Sequence, residues 1–368
     1  MKIRVLEVLA TLKRAGAERV AVSLAEGLDA KRFETAVVTL YDAFPGGFDA
    51  QLEARAVPVW RLGKRPGFDP RMWPRLARVL GRFRPSIVHT HSYVLRYALP
   101  AALWARAGAM VHTVHNLAPK EVDAAGRLLH RLAFRRRVAA VAVSDEVARS
   151  FRAFYGRKPA AVIPNGIEVR PASEGRAAWR RDNGFVEDDL LVLSVARLDE
   201  QKNPLGLIDA FARALGGDPR AYLLLAGDGA LRGEALRRAE LRGAGAQVRF
   251  LGVRDDVPAM LAAADLFALA SHWEGRPMAV MEALAAGLPV AATAAGGVPG
   301  LVEHGVTGLL APPGDLDALA GTLAELACDP GRRREMGASA LRRAADFGVD
   351  AMVASYAALF ERLAGGAA

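Results

Sequence analysis

Two glutamates eight positions apart, Glu274 and Glu282, form the acidic pair in this sequence whose spacing most clearly indicates chemistry. Pro277 suits the first turn of a helix, and good helix formers follow from Met278 and Ala279, so Glu282 lies more than a turn inside. The N–H groups that begin a helix have no partner within it and favour negative charge. Carboxylates that accept hydroxyl hydrogens, beside N–H groups that bind phosphate, would suit a sugar-phosphate ligand.

Two cations, Arg197 and Lys202, form a second constellation. They follow a predicted strand and share one loop. Cations five residues apart can clamp a diphosphate, because Arg makes paired hydrogen bonds and Lys acts as a point charge. This spacing also indicates a phosphate-containing ligand.

Strands and helices that alternate along the chain must position these residues. In the first half, apolar runs predict strands at Ile3–Leu9, Thr35–Thr39, Ile87–Thr90, Met110–Val114, Ala139–Val143 and Ala161–Ile163. Amphipathic segments predict helices at Glu18–Leu28, Arg71–Arg84, Tyr93–Ala107 and Asp145–Phe154. This alternation predicts a parallel sheet with helices on both faces, whose ligands bind beyond the carboxyl ends of the strands.

The second half repeats the same alternation. Its predicted strands are Leu190–Ala196, Ala221–Ala226, Gln247–Leu251, Leu266–Leu269, Pro289–Thr293 and Gly308–Leu310. Its predicted helices are Asn203–Ala214, Arg232–Leu241, Val257–Ala263, Met278–Ala286 and Asp315–Cys328. A length of 368 residues favours two domains, and a Pro and an Asn-Gly turn place the boundary near Asn165–Arg181. We predict α/β domains over residues 1–168 and 169–346 and an amphipathic terminal helix over 347–368.

The segment around the two glutamates resembles the signature of retaining GT-B glycosyltransferases of family 4. The matching features are E-G-x-P from Glu274 through Gly275 to Pro277, the seven-residue gap, the following E-A-x-A-x-G-x-P-V, and Gly296-Gly297. The resemblance implies two doubly wound Rossmann-like domains that face each other across a cleft, with the last helix crossing back to the first domain. It also implies transfer of a sugar from a UDP- or GDP-sugar to an acceptor hydroxyl, with retention.

Roles for individual residues follow from the resemblance. Glu274 would orient the donor sugar, and Glu282 would bind the ribose. Arg197 and Lys202 match the family's R-x-x-x-x-K and would stabilise the leaving diphosphate in place of a divalent metal, so no metal or other cofactor is expected. The other donor-binding positions lie in the family's G-x-G turn, its base-lining segment and the start of the helix after Glu274: Gly227, Val253, Gly275, Pro277, Met278 and Ala279.

Two positions of the first half also match the family. The loop after the first strand resembles the family's G-G-x-E, with Ala15 in place of the first Gly, and Gly16 would let the backbone approach the phosphate or the sugar. His115 matches the His beside the donor sugar and would orient donor or acceptor. One position departs from the pattern: Gly300 stands where the family commonly has an acidic residue, which leaves the role of that loop open.

Three further histidines, His89, His91 and His112, lie close in the sequence. A metal site requires ligands that cluster in space, and this spacing alone does not provide that cluster. We therefore assign these three side chains to packing or hydrogen bonding and predict no metal site.

The net charge of +9 is unevenly distributed. Residues 1–168 hold 28 Lys and Arg against 14 Asp and Glu, whereas residues 169–368 hold 21 against 26. A basic half suggests an anionic partner, either nucleic acid or an anionic membrane leaflet. Two basic segments, 71–84 and 127–137, have the pattern of a membrane-surface helix, the first with its arginines on one helical face at Arg71, Arg75, Arg78 and Arg82. The alternative is a solvated basic face over an ordinary buried stripe.

We thus predict a retaining, metal-independent glycosyltransferase of polysaccharide, glycolipid or other glycoconjugate biosynthesis, with a saccharide or lipid-linked acceptor. A single cysteine and the lack of a convincing signal peptide or membrane span favour a cytoplasmic protein, and docking would place it on the inner face of the plasma membrane. No nucleic-acid-binding motif is visible. The alternatives are a GT-B epimerase or phosphorylase, or a non-catalytic protein that binds nucleotide sugar or nucleic acid.

Metal independence gives a direct prediction. Because Arg197 and Lys202 supply the charge that a divalent ion would otherwise supply, sugar transfer should survive EDTA. The measurement is the initial rate of transfer before and after chelation. Full loss with EDTA and recovery with Mn²⁺ or Mg²⁺ would contradict the prediction.

Overall fold

The computed structural model describes residues 2–44, 46–168 and 175–365. The chain forms two compact units, one of Met1–Gly166 together with Val349–Ala368 and the other of Ile167–Gly348. Among the described helices, none is both long enough and apolar enough to cross a bilayer.

The first unit is built on a parallel sheet of seven strands. In chain order these are β1 (Ile3–Leu9), β2 (Phe33–Thr39), β3 (Val59–Arg61), β4 (Ile87–His91), β5 (Ala109–Val114), β6 (Val138–Ala142) and β7 (Ala161–Val162). The spatial order is β3-β2-β1-β4-β5-β6-β7. The helices between them are α1 (Gly16–Gly27), α2 (Asp49–Ala54), α3 (Met72–Phe83), α4 (Leu95–Trp104), α5 (Ala118–Glu121), α6 (Ala124–Arg136) and α7 (Asp145–Tyr155).

The second unit is built on a parallel sheet of six strands. They are β8 (Leu190–Val195), β9 (Ala221–Ala226), β10 (Val248–Gly252), β11 (Leu266–Leu269), β12 (Val290–Thr293) and β13 (Gly308–Ala311), in the spatial order β10-β9-β8-β11-β12-β13. Its helices are α8 (Arg176–Asp182), α9 (Pro204–Leu215), α10 (Arg232–Leu241), α11 (Val257–Ala263), α12 (Met278–Ala285), α13 (Leu316–Cys328) and α14 (Pro330–Ala344).

The terminal helix, α15 (Val349–Gly365), belongs to the first unit, where it packs against α1, β1 and β4. Its buried side chains lie with Val5, Ile87 and Val111 on one face of the first sheet. The opposite face of that sheet packs against the apolar sides of α3, α4, α6 and α7. Both faces are therefore covered, which explains why these strands are near-continuous apolar runs.

The strands that the sequence predicts are all present, with ends that shift by at most two residues. The sequence does not predict β3, α2, α5, α8 or α14. The first four are three to seven residues long, too short for a periodic pattern to emerge. The fifth, α14, is rich in arginine and buries mainly small side chains such as Ala340 and Ala344, so its apolar stripe is weak.

Candidate functional site

The donor-binding residues predicted in the second half lie on loops at one edge of the second sheet. Arg197 and Lys202 follow β8, Gly227 follows β9, Val253 follows β10, and Glu274 lies between β11 and α12. In a parallel sheet the carboxyl ends of the strands meet at this edge, where ligands bind. The structure thus brings the loops of these residues to one edge of one unit.

Hydrogen bonds to backbone carbonyls hold these loops together. The backbone N–H of His272 donates to the carbonyl of Gln201 at 2.9 Å, and the Gln201 side-chain amide donates to the carbonyl of Trp273 at 3.0 Å. The N–H of Leu198 donates to the carbonyl of Asp228 at 3.0 Å. The loop after β8 is therefore fixed against both neighbouring loops.

Two glycines allow the closest approaches. Gly227 has φ +138°, and a Cβ there would lie 1.9 Å from the carbonyl oxygen of Ala196. Gly296, after β12, has φ +55°, and a Cβ there would lie 1.9 Å from the carbonyl oxygen of Glu274. Any larger residue would push a site loop away, so glycine is required at both positions.

Lys202 and Glu274 form an ion pair in which the glutamate is buried and the lysine is half-buried. The Lys202 Nζ lies 2.5 Å from Glu274 Oε1, and the Ser271 hydroxyl donates to the same oxygen at 2.7 Å. The Glu274 residue is 3% exposed. The two residues are 72 positions apart. The sequence analysis assigns Lys202 to the diphosphate of the ligand and Glu274 to its sugar. Without a ligand, each neutralises the other.

Arg197 lies near this pair in the chain but is far more exposed. Its guanidinium contacts Asp199 at 2.9 Å and donates to the Gln201 side chain at 3.0 Å, and its side chain is 64% exposed. Exposed ion pairs contribute little stability, so the side chain can move to an anionic ligand at small cost.

The start of α12 lies at the same edge of the second sheet, and its first N–H groups have no partner within the helix. Pro277 is its N-cap residue and makes no side-chain cap, and the helix continues through Met278 and Ala279. Glu282 lies one turn further along and is half-buried. Gly275 is buried in the preceding loop, whereas Val253 is 70% exposed. Gly300, the position that departs from the family pattern, is exposed and accepts a hydrogen bond from Arg343 through its carbonyl.

Gly16 and His115 lie in the first unit, at the carboxyl edge of its own sheet. Gly16 is the first residue of α1, and its N-cap, Ala15, provides no side-chain cap. His115 directly follows β5 and is half-buried. Its backbone N–H points to Glu121 Oε1 at 3.4 Å.

Behind His115 lies a buried polar cluster that the sequence analysis did not identify. Glu7 of β1, His89 and His91 of β4 and Thr113 of β5 share the face that α15 covers, and all are fully or almost fully buried. Glu7 is 82 and 84 residues from the two histidines. The one available signal was the carboxylate of Glu7 between the apolar residues of the second part of β1.

The three histidines that lie close in the sequence, His89, His91 and His112, therefore fall into two groups in the structure. His89 and His91 contact Glu7, whereas His112 lies on the opposite face of the sheet and bonds the Thr90 hydroxyl at 2.9 Å. All three have hydrogen-bond partners. Ligand atoms of Glu7, His89 and His91 lie within 4.8 Å of one another, so this trio could geometrically approach one metal ion.

Burial decides the protonation of this cluster. It lowers the pKa of His89, His91 and His115 to about 3 each, so all three imidazoles are neutral at physiological pH. Burial raises the pKa of Glu7, against the opposing effect of the His91 hydrogen bond. Burial also raises the pKa of Glu121 to about 8.

Profiles of two related families match this chain. One, described as glycosyl transferases group 1, matches residues 175–343, and the other, described as Glycosyltransferase Family 4, matches residues 14–170. A D-inositol 3-phosphate glycosyltransferase of Kribbella flavida is 32% identical over 301 residues, which are 71% of this chain and 68% of that protein.

Other similar proteins are known by sequence and by structure. A GDP-mannose-dependent monoacylated alpha-(1-6)-phosphatidylinositol monomannoside mannosyltransferase of Corynebacterium glutamicum is 34% identical over 211 residues, 54% of this chain and 55% of that protein. The crystal structure of Anabaena HepE in complex with UDP and glucose superposes with a TM-score of 0.87 at 26% identity, covering 98% of this chain and all of that chain.

The ion pair gives a prediction for Lys202→Ala. Affinity for UDP or GDP should fall about 10- to 100-fold, because a charge-assisted hydrogen bond is lost. The free energy of unfolding should fall by about 3 kcal/mol, because Glu274 stays buried without its counter-charge. Titration calorimetry and chemical denaturation measure the two effects.

The matched control is Arg220→Ala. Arg220 is an exposed cation just before β9, and its pair with Asp188 is 3.7 Å long. Its loss should leave nucleotide affinity unchanged and stability within about 0.5 kcal/mol. A folded Lys202→Ala protein with wild-type nucleotide affinity would rule out the phosphate clamp.

Proposed function

The chain belongs to glycosyltransferase family 4, and on that premise we propose that it transfers a sugar from a nucleoside-diphosphate donor, a UDP- or GDP-sugar, to an acceptor hydroxyl with retention. The sequence predicts the family, the GT-B fold and glycosyltransferase activity, and the comparisons confirm these three predictions. An epimerase, a phosphorylase or a non-catalytic binding protein is not favoured, because the similar proteins are named as transferases.

The Lys202–Glu274 ion pair is the observation that carries the proposal. A diphosphate that enters this edge of the sheet competes with Glu274 for the Lys202 ammonium. The released carboxylate can then accept hydrogen bonds from sugar hydroxyls. Donor binding would thus exchange this one ion pair for two matched interactions, which favours a ligand with both a phosphate and a sugar.

In the proposed reaction, the bond between the anomeric carbon and the diphosphate oxygen breaks, and its electron pair stays with the diphosphate. The acceptor oxygen forms a new bond on the same face of the sugar, and its proton passes to an oxygen of the leaving phosphate. Lys202 and Arg197 stabilise the charge that develops there, and the N–H groups of α12 add to this. These groups supply the charge that a metal would supply, so we propose no metal or other cofactor.

The remaining residues have supporting roles in this proposal. Glu282 accepts hydrogen bonds from the ribose, and the backbone around Gly227 and Val253 lines the nucleoside. In the first unit, Gly16 lets the start of α1 approach phosphate or sugar, and His115 orients a sugar hydroxyl.

Labelled UDP- and GDP-sugars with saccharide and lipid-linked acceptors test the reaction. Glu274→Ala should lower transfer by about 10²–10³ while free nucleotide still binds, because its carboxylate contacts the sugar. Glu282→Ala should mainly weaken nucleotide binding. Glu335→Ala, at an exposed carboxylate of α14, is the control and should change neither quantity. The opposite pattern in calorimetry would show that the two roles are wrong.

We further propose that the acceptor is reached at an anionic membrane surface, with α6 rather than α3 as the docking helix. On α3, Met72, Leu76, Leu80 and Phe83 are buried in the core. Arg71 contacts Asp69 at 2.6 Å, and Arg75 donates to the carbonyls of Leu62 and Gly63. The basic stripe of α3 therefore covers an ordinary buried face.

The second basic segment, α6, exposes apolar side chains as well as arginines. Leu128 and Leu132 are 63% and 59% exposed and lie one turn apart. Arg135 and Arg136 are exposed beside them, while His130 and Phe134 face the core. An outward apolar pair flanked by cations has the chemistry of a helix that lies on an anionic leaflet.

Liposome co-sedimentation tests this docking. Binding should require anionic lipid, weaken as salt rises, and fall when Leu128 and Leu132 become Ser, because each cation contributes only about 1 kcal/mol without apolar insertion. The control replaces Arg78 and Arg82 of α3 with Ser and should have a smaller effect. If the wild type ignores anionic vesicles at low salt, the membrane proposal is wrong.

A further inference from the structure

A continuous chain of hydrogen bonds runs through the buried polar cluster of the first unit. From His115 it passes to His91, Glu7, His89 and Thr113 and ends at Tyr356 of α15. The contacts are 2.8 Å from His115 Nε2 to His91 Nδ1 and 2.8 Å from His91 Nε2 to Glu7 Oε2. The other arm has 3.0 Å from Glu7 Oε1 to His89 Nδ1, 2.8 Å from His89 Nε2 to the Thr113 hydroxyl, and 2.8 Å from there to the Tyr356 hydroxyl.

The direction of each bond follows from the number of hydrogens available. A neutral imidazole carries one N–H, so one of its nitrogens donates and the other accepts. His89 Nδ1 lies 2.9 Å from Glu7 Oε2 and 3.0 Å from Oε1, the position of a single N–H shared by a carboxylate. His89 therefore donates from Nδ1, and its Nε2 accepts the Thr113 O–H. The Thr113 oxygen in turn accepts the Tyr356 O–H.

The direction of the other arm depends on the charge of Glu7, whose pKa is raised by burial. With Glu7 ionised, His91 donates to it from Nε2, so His91 Nδ1 has only a lone pair. The contact between His91 and His115 still needs one hydrogen, and His115 Nε2 must supply it. His115 Nδ1 is then left without a hydrogen and can only accept.

We propose that Glu7 is a positioning residue, which acts through His91 to fix His115 as the Nε2–H tautomer, so that His115 Nδ1 accepts a hydrogen bond from a sugar hydroxyl. The proposal rests on the proposed function, in which His115 contacts donor or acceptor. His115 is half-buried at the end of β5, whereas Glu7 and His91 are almost completely buried and cannot touch a ligand themselves.

Burial of the imidazoles supports this role, whereas burial raises the pKa of Glu7, so the role belongs to the pH range in which Glu7 is ionised. The three imidazoles are neutral because burial lowers their pKa values, so none of them carries the second N–H that would leave the tautomer undefined. A carboxylate that holds a neutral histidine in one tautomer is a known way to aim an imidazole nitrogen at its target. Here the Glu7 carboxylate acts through a second imidazole, because His91 lies between Glu7 and His115.

The same geometry argues against a metal ion between Glu7, His89 and His91. Two ligand atoms on a tetrahedral zinc lie about 3.3 Å apart, given metal–ligand distances near 2.0 Å. The nitrogen–oxygen distances here are 2.8 to 3.0 Å and belong to hydrogen bonds. Every ring nitrogen of His89 and His91 already has a partner within the chain.

The tautomer can be measured directly by ¹⁵N NMR of histidine-labelled protein, at alkaline pH so that a carboxyl of raised pKa is ionised. Wild-type protein should show Nε2–H on His115 and His91 and Nδ1–H on His89. Glu7→Leu removes the acceptor, so His91 and His115 should populate both tautomers. Transfer kcat/KM should fall about 10- to 100-fold, the value of a lost hydrogen bond to the ligand, with nucleoside-diphosphate affinity unchanged.

Tyr356→Phe is the matched control, since it removes a hydroxyl from the arm that does not lead to His115. It should leave the His115 tautomer and kcat/KM as in the wild type. A wild-type His115 with its hydrogen on Nδ1 overturns the proposal, and this measurement decides even if Glu7→Leu does not fold. A Glu7→Leu protein with an unchanged His115 tautomer also overturns it. Failure of the proposed function is distinguishable, because it removes transfer by the wild type and leaves the NMR pattern intact.

Discussion

Both sheets are parallel and packed by apolar side chains on each face, and this constraint decides where polar chemistry can be placed. A buried polar group without a partner costs a large part of the stability of a domain. The strands therefore carry apolar residues, and the reactive side chains collect at the carboxyl edges. In the second unit that edge holds Arg197, Lys202 and Glu274 on loops joined by backbone hydrogen bonds.

Within this edge, the Lys202–Glu274 pair joins stability to ligand recognition. The Glu274 carboxylate is buried and depends on the partly exposed Lys202 ammonium for its counter-charge. A ligand that satisfies both charges can take their place, whereas one that satisfies a single charge leaves the second uncompensated. In the proposed function, recognition of a molecule that combines phosphate with hydroxyls thus follows from the cost of burying charge.

The first unit shows the exception to the apolar rule. Glu7, His89 and Thr113 lie in the middle of a covered sheet face, and α15 closes over them with Tyr356. Such a network is tolerated only when every member has a partner, and with Glu7 ionised this requirement fixes the direction of each bond. The terminal helix therefore satisfies a polar network as well as covering apolar surface.

The sequence by itself determined the alternation of strands and helices and the loops that carry the spacings typical of the family, because periodicity and turn residues act locally. It also placed Arg197 and Lys202 on one loop, and Glu274 just before the helix that carries Glu282, because these residues lie within eight positions of each other. Only the tertiary structure decided that Lys202 bonds Glu274 and that Glu7 bonds His89 and His91, over 72 to 84 residues. It also decided that α3 buries its apolar stripe while α6 exposes Leu128 and Leu132. A helical pattern in the sequence shows that a helix has an apolar face, but what covers that face depends on packing from distant parts of the chain.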